Sequence, residues 1–145
     1  MTKKIGYTSG VFDMFHVGHL NILKNAKAGC GELIVGVSSD ELVESYKGKT
    51  PIIPHEDRMA IVGAIEFVDK VVPVHDRDKF GAWEKHQFDL MFVGDDWRGK
   101  PVFLDAEARL RSVGVDVVYF PYTKKVSSTR LTEILELINE NEYNS

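Results

Sequence analysis

Short apolar runs alternate along this chain with stretches of helical spacing. Residues 4–12 read as a first strand, and residues 33–37 form a continuous apolar run of strand length, as expected for a strand covered on both faces. Residues 71–74 give a third strand, where Pro73 favours an edge or a strand end. Residues 90–93 and 115–120 give the fourth and fifth. Leu20, Leu23 and Ala26 keep helical spacing after the first strand, and Met59, Val62 and Ile65 do so before the third. Residues 105–113 are helical in composition, and Gly114 closes them as a C-terminal cap. Leu131, Ile134, Leu135 and Ile138 fall at i, i+3, i+4 and i+7, with Ser127 or Ser128 to cap that last helix and a polar tail after Asn139. Alternation of this kind predicts one α/β domain over residues 1–145, a five-stranded parallel sheet with helices on both faces and right-handed crossovers. Open parallel sheets bind ligands at the C-terminal ends of their strands, so functional motifs are expected just after strands.

Composition narrows the classes. The 145 residues suit one hydrophobic core, with 43% apolar and 28% charged residues. The net charge of −4 argues against nucleic acid as a partner, so phosphate binding has to come from a local cluster of cations. No apolar run approaches the roughly 18 residues that span a membrane, and the N-terminus lacks the apolar segment of a signal peptide. One cysteine, Cys30, leaves no internal disulfide framework or cysteine-based zinc site. A cytoplasmic location without membrane insertion is the expectation.

Four blocks carry candidate chemistry. After the first strand comes Gly10-Val-Phe-Asp13 and then His16-Val17-Gly18-His19. Two histidines three apart at a helix start share a face, and Gly18 removes a side chain that would block a phosphate. The N–H groups of a helix N-terminus favour anions there. On spacing alone, a phosphate site and a core histidine beside a turn account for the pair equally. No third metal ligand is evident beside them, which argues against zinc.

Lys47-Gly48-Lys49 reads as a loop with two close cations, and Arg58 lies on the helix beyond. Solvated surface charge explains most such pairs. Gly94-Asp95-Asp96-Trp97-Arg98-Gly99-Lys100 follows the fourth strand, and its carboxylates suit a hydrogen-bond network, a ribose, a divalent ion, or simply an Asx turn. After the fifth strand, Tyr122, Thr123, Lys124, Lys125, Val126, Ser127 and Ser128 lead into the last helix. Capping accounts for one serine but not for Thr123 and two lysines beside it.

The first block resembles the signature of the HxGH nucleotidyltransferase superfamily, and Gly94 to Lys100 narrows the likeness to glycerol-3-phosphate cytidylyltransferases. The resemblance runs from Lys4 to about Leu135. It implies a Rossmann-like fold, transfer of the cytidylyl group of CTP to glycerol 3-phosphate, Mg²⁺ carried as the CTP complex, and a homodimer with residues 65–69 as a candidate interface. It implies catalytic roles for His16, His19, Lys47 and Arg58. It implies nucleotide binding by Ser9, Gly10, Val11, Phe12, Asp13, Gly18, Gly94, Asp95, Asp96, Tyr122, Thr123, Val126, Ser127 and Ser128. Acceptor binding falls to Lys47, Lys49, Arg58 and Trp97. CDP-glycerol would feed teichoic acid or capsular polysaccharide synthesis.

The chain departs from that family at Tyr122, where an arginine is usual, and at Lys124-Lys125, where Glu-Gly is usual. A lysine supplying the missing charge is a point charge and not a bidentate fork. Three alternatives stay open: another small phosphate acceptor, adenylyl transfer from ATP, and a non-catalytic nucleotide-binding module.

Overall fold

A computed structural model describes residues 4–94 and 98–120. The five expected strands are β1 (Ile5–Gly10), β2 (Glu32–Ser38), β3 (Lys70–Val74), β4 (Leu90–Gly94) and β5 (Asp116–Phe120). They form one sheet in the order β3-β2-β1-β4-β5, and every neighbouring pair is parallel. Pro73 lies on the edge strand β3, where its missing N–H interrupts no outer ladder.

The helices are α1 (Val17–Ala28), α2 (Asp40–Lys47), α3 (His55–Gly63), α4 (Lys79–His86) and α5 (Pro101–Ser112). Two apolar layers enclose the sheet. Leu23 and Ala26 of α1 and Val62 of α3 pack with Leu33, Val35, Val37 and Phe92 on one face. Phe80 and Trp83 of α4 and Phe103 and Leu110 of α5 pack with Tyr7, Met91 and Val117 on the other. Helices therefore cover both faces, as the alternation predicted. Gly114 follows α5 with φ at +87°, and the N–H groups of Gly114 and Val115 bond the carbonyls of Arg111 and Leu110. Ile65 and Val68, from the segment read as a candidate interface, pack against the first layer.

Two helices were not foreseen. Each spans only eight residues, and α4 carries no fully buried residue. Their ends are nevertheless written in the sequence. Ser39 accepts from the Leu42 N–H and Gly48 closes α2 at φ +76°, while the Asp78 side chain accepts from the Gly81 N–H. Residues 40–47, which lead into the expected lysine loop, are thus helical and not loop. The expected last helix lies outside the described residues.

The chain runs outward from β1 to β2 and β3, then back across to β4 and β5, so the switch in direction lies between β1 and β4. There β1 pairs with β2 along its whole length, to Gly10↔Val37, but with β4 only at Gly6↔Leu90 and Tyr7↔Met91. Beyond Tyr7 the Thr8 hydroxyl bridges the two strands, donating to the Phe92 carbonyl. A crevice at the C-terminal end of β1 follows from this divergence.

Close packing fixes the start of β1. A Cβ on Gly6 would stand 2.6 Å from Phe92 Cε2 and 2.8 Å from Cys30 Sγ. Gly6→Ala is expected to destabilise the fold by about 1–3 kcal/mol through overpacking, read as a lowered urea midpoint. An unchanged midpoint would show that the ring and the thiol give way freely.

Candidate functional site

The loop between β1 and α1 is held in an unusual conformation. Phe12 and Met14 both take positive φ, +54° and +47°, although neither is glycine. Such residues cost on the order of 1–2 kcal/mol each and persist where their surroundings hold them. Two anchors do so here. The buried Asp13 carboxylate accepts from the N–H groups of Ile52 (2.8 Å) and Ile53 (2.9 Å). The Arg58 guanidinium, fully buried, donates to the carbonyls of Val11 (2.8 Å), Ser38 (2.7 Å) and Ile53 (2.8 Å) and to the Asp40 carboxylate (2.6 Å). Burial alone would raise the Asp40 pKa; the hydrogen bonds from Arg58 and the His55 N–H outweigh it and hold the carboxyl below its usual range.

In this structure Arg58 turns donors inward to three carbonyls and one carboxylate, which positions the loop. Asp13, expected among the nucleotide contacts, accepts from two backbone N–H groups and ties the same loop to residues 52 and 53.

The clamp delivers the histidines. His16 is the N-cap of α1 and His19 its third residue, and each side chain bonds the other's turn in a capping box. His16 Nδ1 accepts from the Gly18 N–H at 3.1 Å, and His19 Nδ1 accepts from the His16 N–H at 3.3 Å. The rings stack 3.8 Å apart, and Phe12 and Phe15 flank His19 at 5.3 Å. With Nδ1 accepting in both rings, the proton of each neutral imidazole belongs on Nε2. The His16 Nε2 atom is shielded from solvent and has no hydrogen-bond partner among the described residues. An orphaned donor of this kind costs about 1–3 kcal/mol, which an incoming acceptor oxygen would relieve. Burial lowers both histidine pKa values, that of His19 to about 3 with His16 beside it contributing. Both rings are therefore neutral hydrogen-bond donors near pH 7.

The lysine loop is brought to the same end of the sheet. Lys47 ends α2, Lys49 follows the left-handed Gly48, and both are exposed. The chain then returns to Ile52 and Ile53, whose N–H groups bind Asp13, so the lysine loop and the histidine loop share an anchor. Tyr46, beside Lys47, stacks under the Arg77 guanidinium at 4.7 Å. Ser9 and Gly10 end β1, Val11 is held by Arg58, Gly18 is buried in the first turn of α1, and Gly94 ends β4 across the crevice. Asp95, Asp96, Trp97, Tyr122, Thr123, Val126, Ser127 and Ser128 lie outside the described residues.

Lys79 was missed from the sequence. It opens α4, and its ammonium donates to Ser9 Oγ at 2.9 Å, at the end of β1. Burial, with Arg77 nearby, lowers its pKa to about 8. The expectation of chemistry just after a strand, applied to residues 75–79 behind β3, would have found it. Among the described residues no three His, Cys, Asp or Glu side chains form a metal-ligand group, and no helix is long and apolar enough to cross a membrane.

Comparison with known proteins decides the family. The cytidylyltransferase-like profile matches residues 7–134. The chain belongs to that family. It is 36% identical over 132 residues to a glycerol-3-phosphate cytidylyltransferase of Bacillus spizizenii, covering 90% of this chain and 95% of that one. It is also 38% identical over 134 residues to an FAD synthase of Pyrococcus abyssi, covering 90% and 89%. A lipopolysaccharide core biosynthesis protein from Thermoplasma volcanium GSS1 superposes with a TM-score of 0.70 at 25% identity, covering 86% of this chain and 100% of that one. The chain is an enzyme of the nucleotidyltransferase type, with a Rossmann-like fold.

Two consequences can be measured. Arg58→Met leaves three carbonyls and a carboxylate without their donor, and is expected to cost about 3–5 kcal/mol in urea unfolding. Lost activity at unchanged stability would instead assign Arg58 to the substrate. For His19, the unfolded imidazole titrates near 6.5 and the folded one near 3. Between these values the unfolded chain binds more protons, so this contribution is present above about pH 6.5 and is lost as pH falls toward 3. An NMR titration is expected to find the His19 ring neutral at pH 5; a midpoint above pH 5 would contradict its burial.

Proposed function

We propose that this enzyme transfers the cytidylyl group of CTP to glycerol 3-phosphate, giving CDP-glycerol and pyrophosphate. The observation that carries it is the stacked histidine pair at the N-terminus of α1, in which both Nδ1 atoms are engaged and the His16 Nε2 is buried with no hydrogen-bond partner among the described residues. An acceptor phosphate oxygen attacks the α-phosphorus, forming one P–O bond while the α–β bridging bond breaks and pyrophosphate leaves. A phosphate monoester is already ionised near neutral pH, so no general base and no covalent enzyme intermediate are required. Catalysis is then positioning and charge stabilisation.

In this reading the neutral imidazoles donate through Nε2 to phosphoryl oxygens whose charge grows in the transition state. Lys47 and Lys49 supply cationic charge from the loop anchored on Asp13, and Asp13 and Arg58 hold the histidine loop in register. Mg²⁺ belongs to the proposal as the CTP complex, where it would offset triphosphate charge; the described residues offer no cluster of three His, Cys, Asp or Glu side chains to hold it without the nucleotide. The choice of CTP and glycerol 3-phosphate is supported by the Gly94–Lys100 block and by the Bacillus spizizenii relative.

A second reading is favoured by the Pyrococcus abyssi relative, named an FAD synthase: adenylyl transfer from ATP to flavin mononucleotide. Pyrophosphate release separates the two when CTP and ATP are each paired with glycerol 3-phosphate, ethanolamine phosphate, choline phosphate and flavin mononucleotide. Release with CTP and glycerol 3-phosphate is the expected outcome, and release only with ATP and flavin mononucleotide would replace it. His16→Ala or His19→Ala is expected to lower kcat about 10²- to 10³-fold with the fold retained; near-normal turnover in either would remove the pair from the reaction.

A further inference from the structure

The chain leaves β4 at Gly94 and is caught again at Arg98, whose guanidinium lies over the Tyr119 ring, 4.5 Å from its centroid. Tyr119 belongs to β5 and pairs in register with Val93, one residue before β4 ends. The ring is itself fixed from α5. Its hydroxyl donates to Glu107 Oε2 at 2.6 Å, and Phe103 meets it edge-on at 6.4 Å. Arg111, one turn beyond Glu107, takes the other carboxylate oxygen, with Nη2 3.0 Å from Oε1. The Tyr119 hydrogen bond is the largest influence on Glu107 and holds its carboxyl below the usual range, with Arg111 helping. Burial, and then Glu107, push the Tyr119 phenol up to about 12. Phenol and carboxylate therefore keep their roles as donor and acceptor across the neutral range.

We infer that Arg98, seated on Tyr119 and braced through Glu107, is a positioning residue for nucleotide binding. This rests on the nucleotidyl-transfer reading, in which the block that opens at Gly94 serves the nucleotide. The strand ladder holds the chain at Gly94, paired with Phe120. The ring holds it at Arg98, and Gly99, at φ +75°, turns it into Lys100, the N-cap of α5. A segment tied at two points four residues apart has little conformational freedom left to lose when a ligand binds. Arg98 acts through the chain it holds. Tyr119 packs with the α4–α5 layer, whereas the histidines start the helix of the opposite layer. A planar guanidinium stacks on an aromatic face where an ammonium does so only as a point charge, so arginine suits this seat better than lysine.

Trypsin reads the tether without turnover. To cut after Arg98 it must take the guanidinium into its own pocket, so the side chain has to leave Tyr119 first. Lys100 precedes Pro101, a bond that trypsin spares, which makes the Arg98–Gly99 cut the one to follow in this block. Tyr119→Leu is expected to speed that cut about 3- to 30-fold, and Tyr119→Phe, which keeps the ring, to reverse most of the gain. In steady-state assays Arg98→Met, at an exposed position, is expected to raise the nucleotide KM about 3- to 30-fold with kcat within about threefold. Arg98→Lys is expected to fall between. Tyr119→Leu should raise the same KM, and the double variant should add nothing further, because both changes remove one contact. Calorimetric titration with CTP measures the same loss where turnover is absent.

Cleavage of Tyr119→Leu at the wild-type rate overturns the anchor whatever the turnover. Turnover by wild type with an unchanged nucleotide KM in Arg98→Met, or additive effects in the double variant, overturns the positioning role and leaves the transfer reaction standing. Absence of turnover with every nucleotide–acceptor pair, together with faster cleavage of Tyr119→Leu and weaker CTP binding by Arg98→Met, overturns the transfer reading and leaves an anchored nucleotide site. If wild type neither turns over any pair nor binds CTP, both fall.

Discussion

The buried guanidinium of Arg58 is the constraint on which the rest of the site depends. It gathers the carbonyls of Val11 and Ser38, just beyond β1 and at the end of β2, with that of Ile53 and the carboxylate of Asp40 on α2. No apolar side chain could satisfy three converging carbonyls at one point. An unsatisfied carbonyl in the interior costs about 1–3 kcal/mol, so without this cation the loops would need to spread apart and admit water. Arg58 therefore closes the C-terminal edge of the sheet on one side of β1 and leaves the crevice toward β4 on the other. Asp13 completes the clamp by tying the histidine loop to the segment after the lysine loop.

What the clamp sustains is a strained and electrostatically unusual turn. Two residues in left-handed conformation and two stacked imidazoles would not persist in an unsupported loop. Stacking and burial keep the rings neutral, and the capping box fixes their tautomers. Neutral donors suit a phosphoryl transition state in one respect: they strengthen as charge accumulates on the oxygens yet do not trap a ground-state triphosphate as a fixed cation would. The helix N-terminus beneath them adds partial positive charge at the same point.

Legibility from the sequence followed the length of each signal. The five strands and the helix ending at Gly114 were readable, because long apolar runs and a glycine at positive φ leave clear marks. Eight-residue helices do not, and α2 and α4 were missed although Ser39, Gly48 and Asp78 stood at their ends. The histidine pair was visible through its spacing and its place after β1. Arg58 was visible as a residue but not in its role, since sequence spacing cannot distinguish a cation that faces substrate from one that ties three backbone carbonyls 5–47 positions away. The partner of Lys79, Ser9, lies 70 residues distant and left no local mark, so only the place of Lys79 just behind β3 pointed to it.

The inward-facing Arg58 bears on how a chain of net charge −4 can handle polyphosphates. Arg58 is spent on the fold, and Tyr122 stands where the resembled family has an arginine. In the proposed reaction the charge that meets substrate then falls on lysines, with neutral imidazoles between them. Lysines bind phosphate as point charges without the bidentate geometry of arginine, so orientation has to come from elsewhere. Here it comes from the backbone. A strand end that places Ser9, a helix N-terminus that places both histidines, and a left-handed Gly48 that turns the lysine loop fix the positions from which flexible cations act. Rigidity near the phosphates is thus supplied by main-chain geometry under the Arg58 clamp, and charge is supplied by side chains whose own geometry is loose.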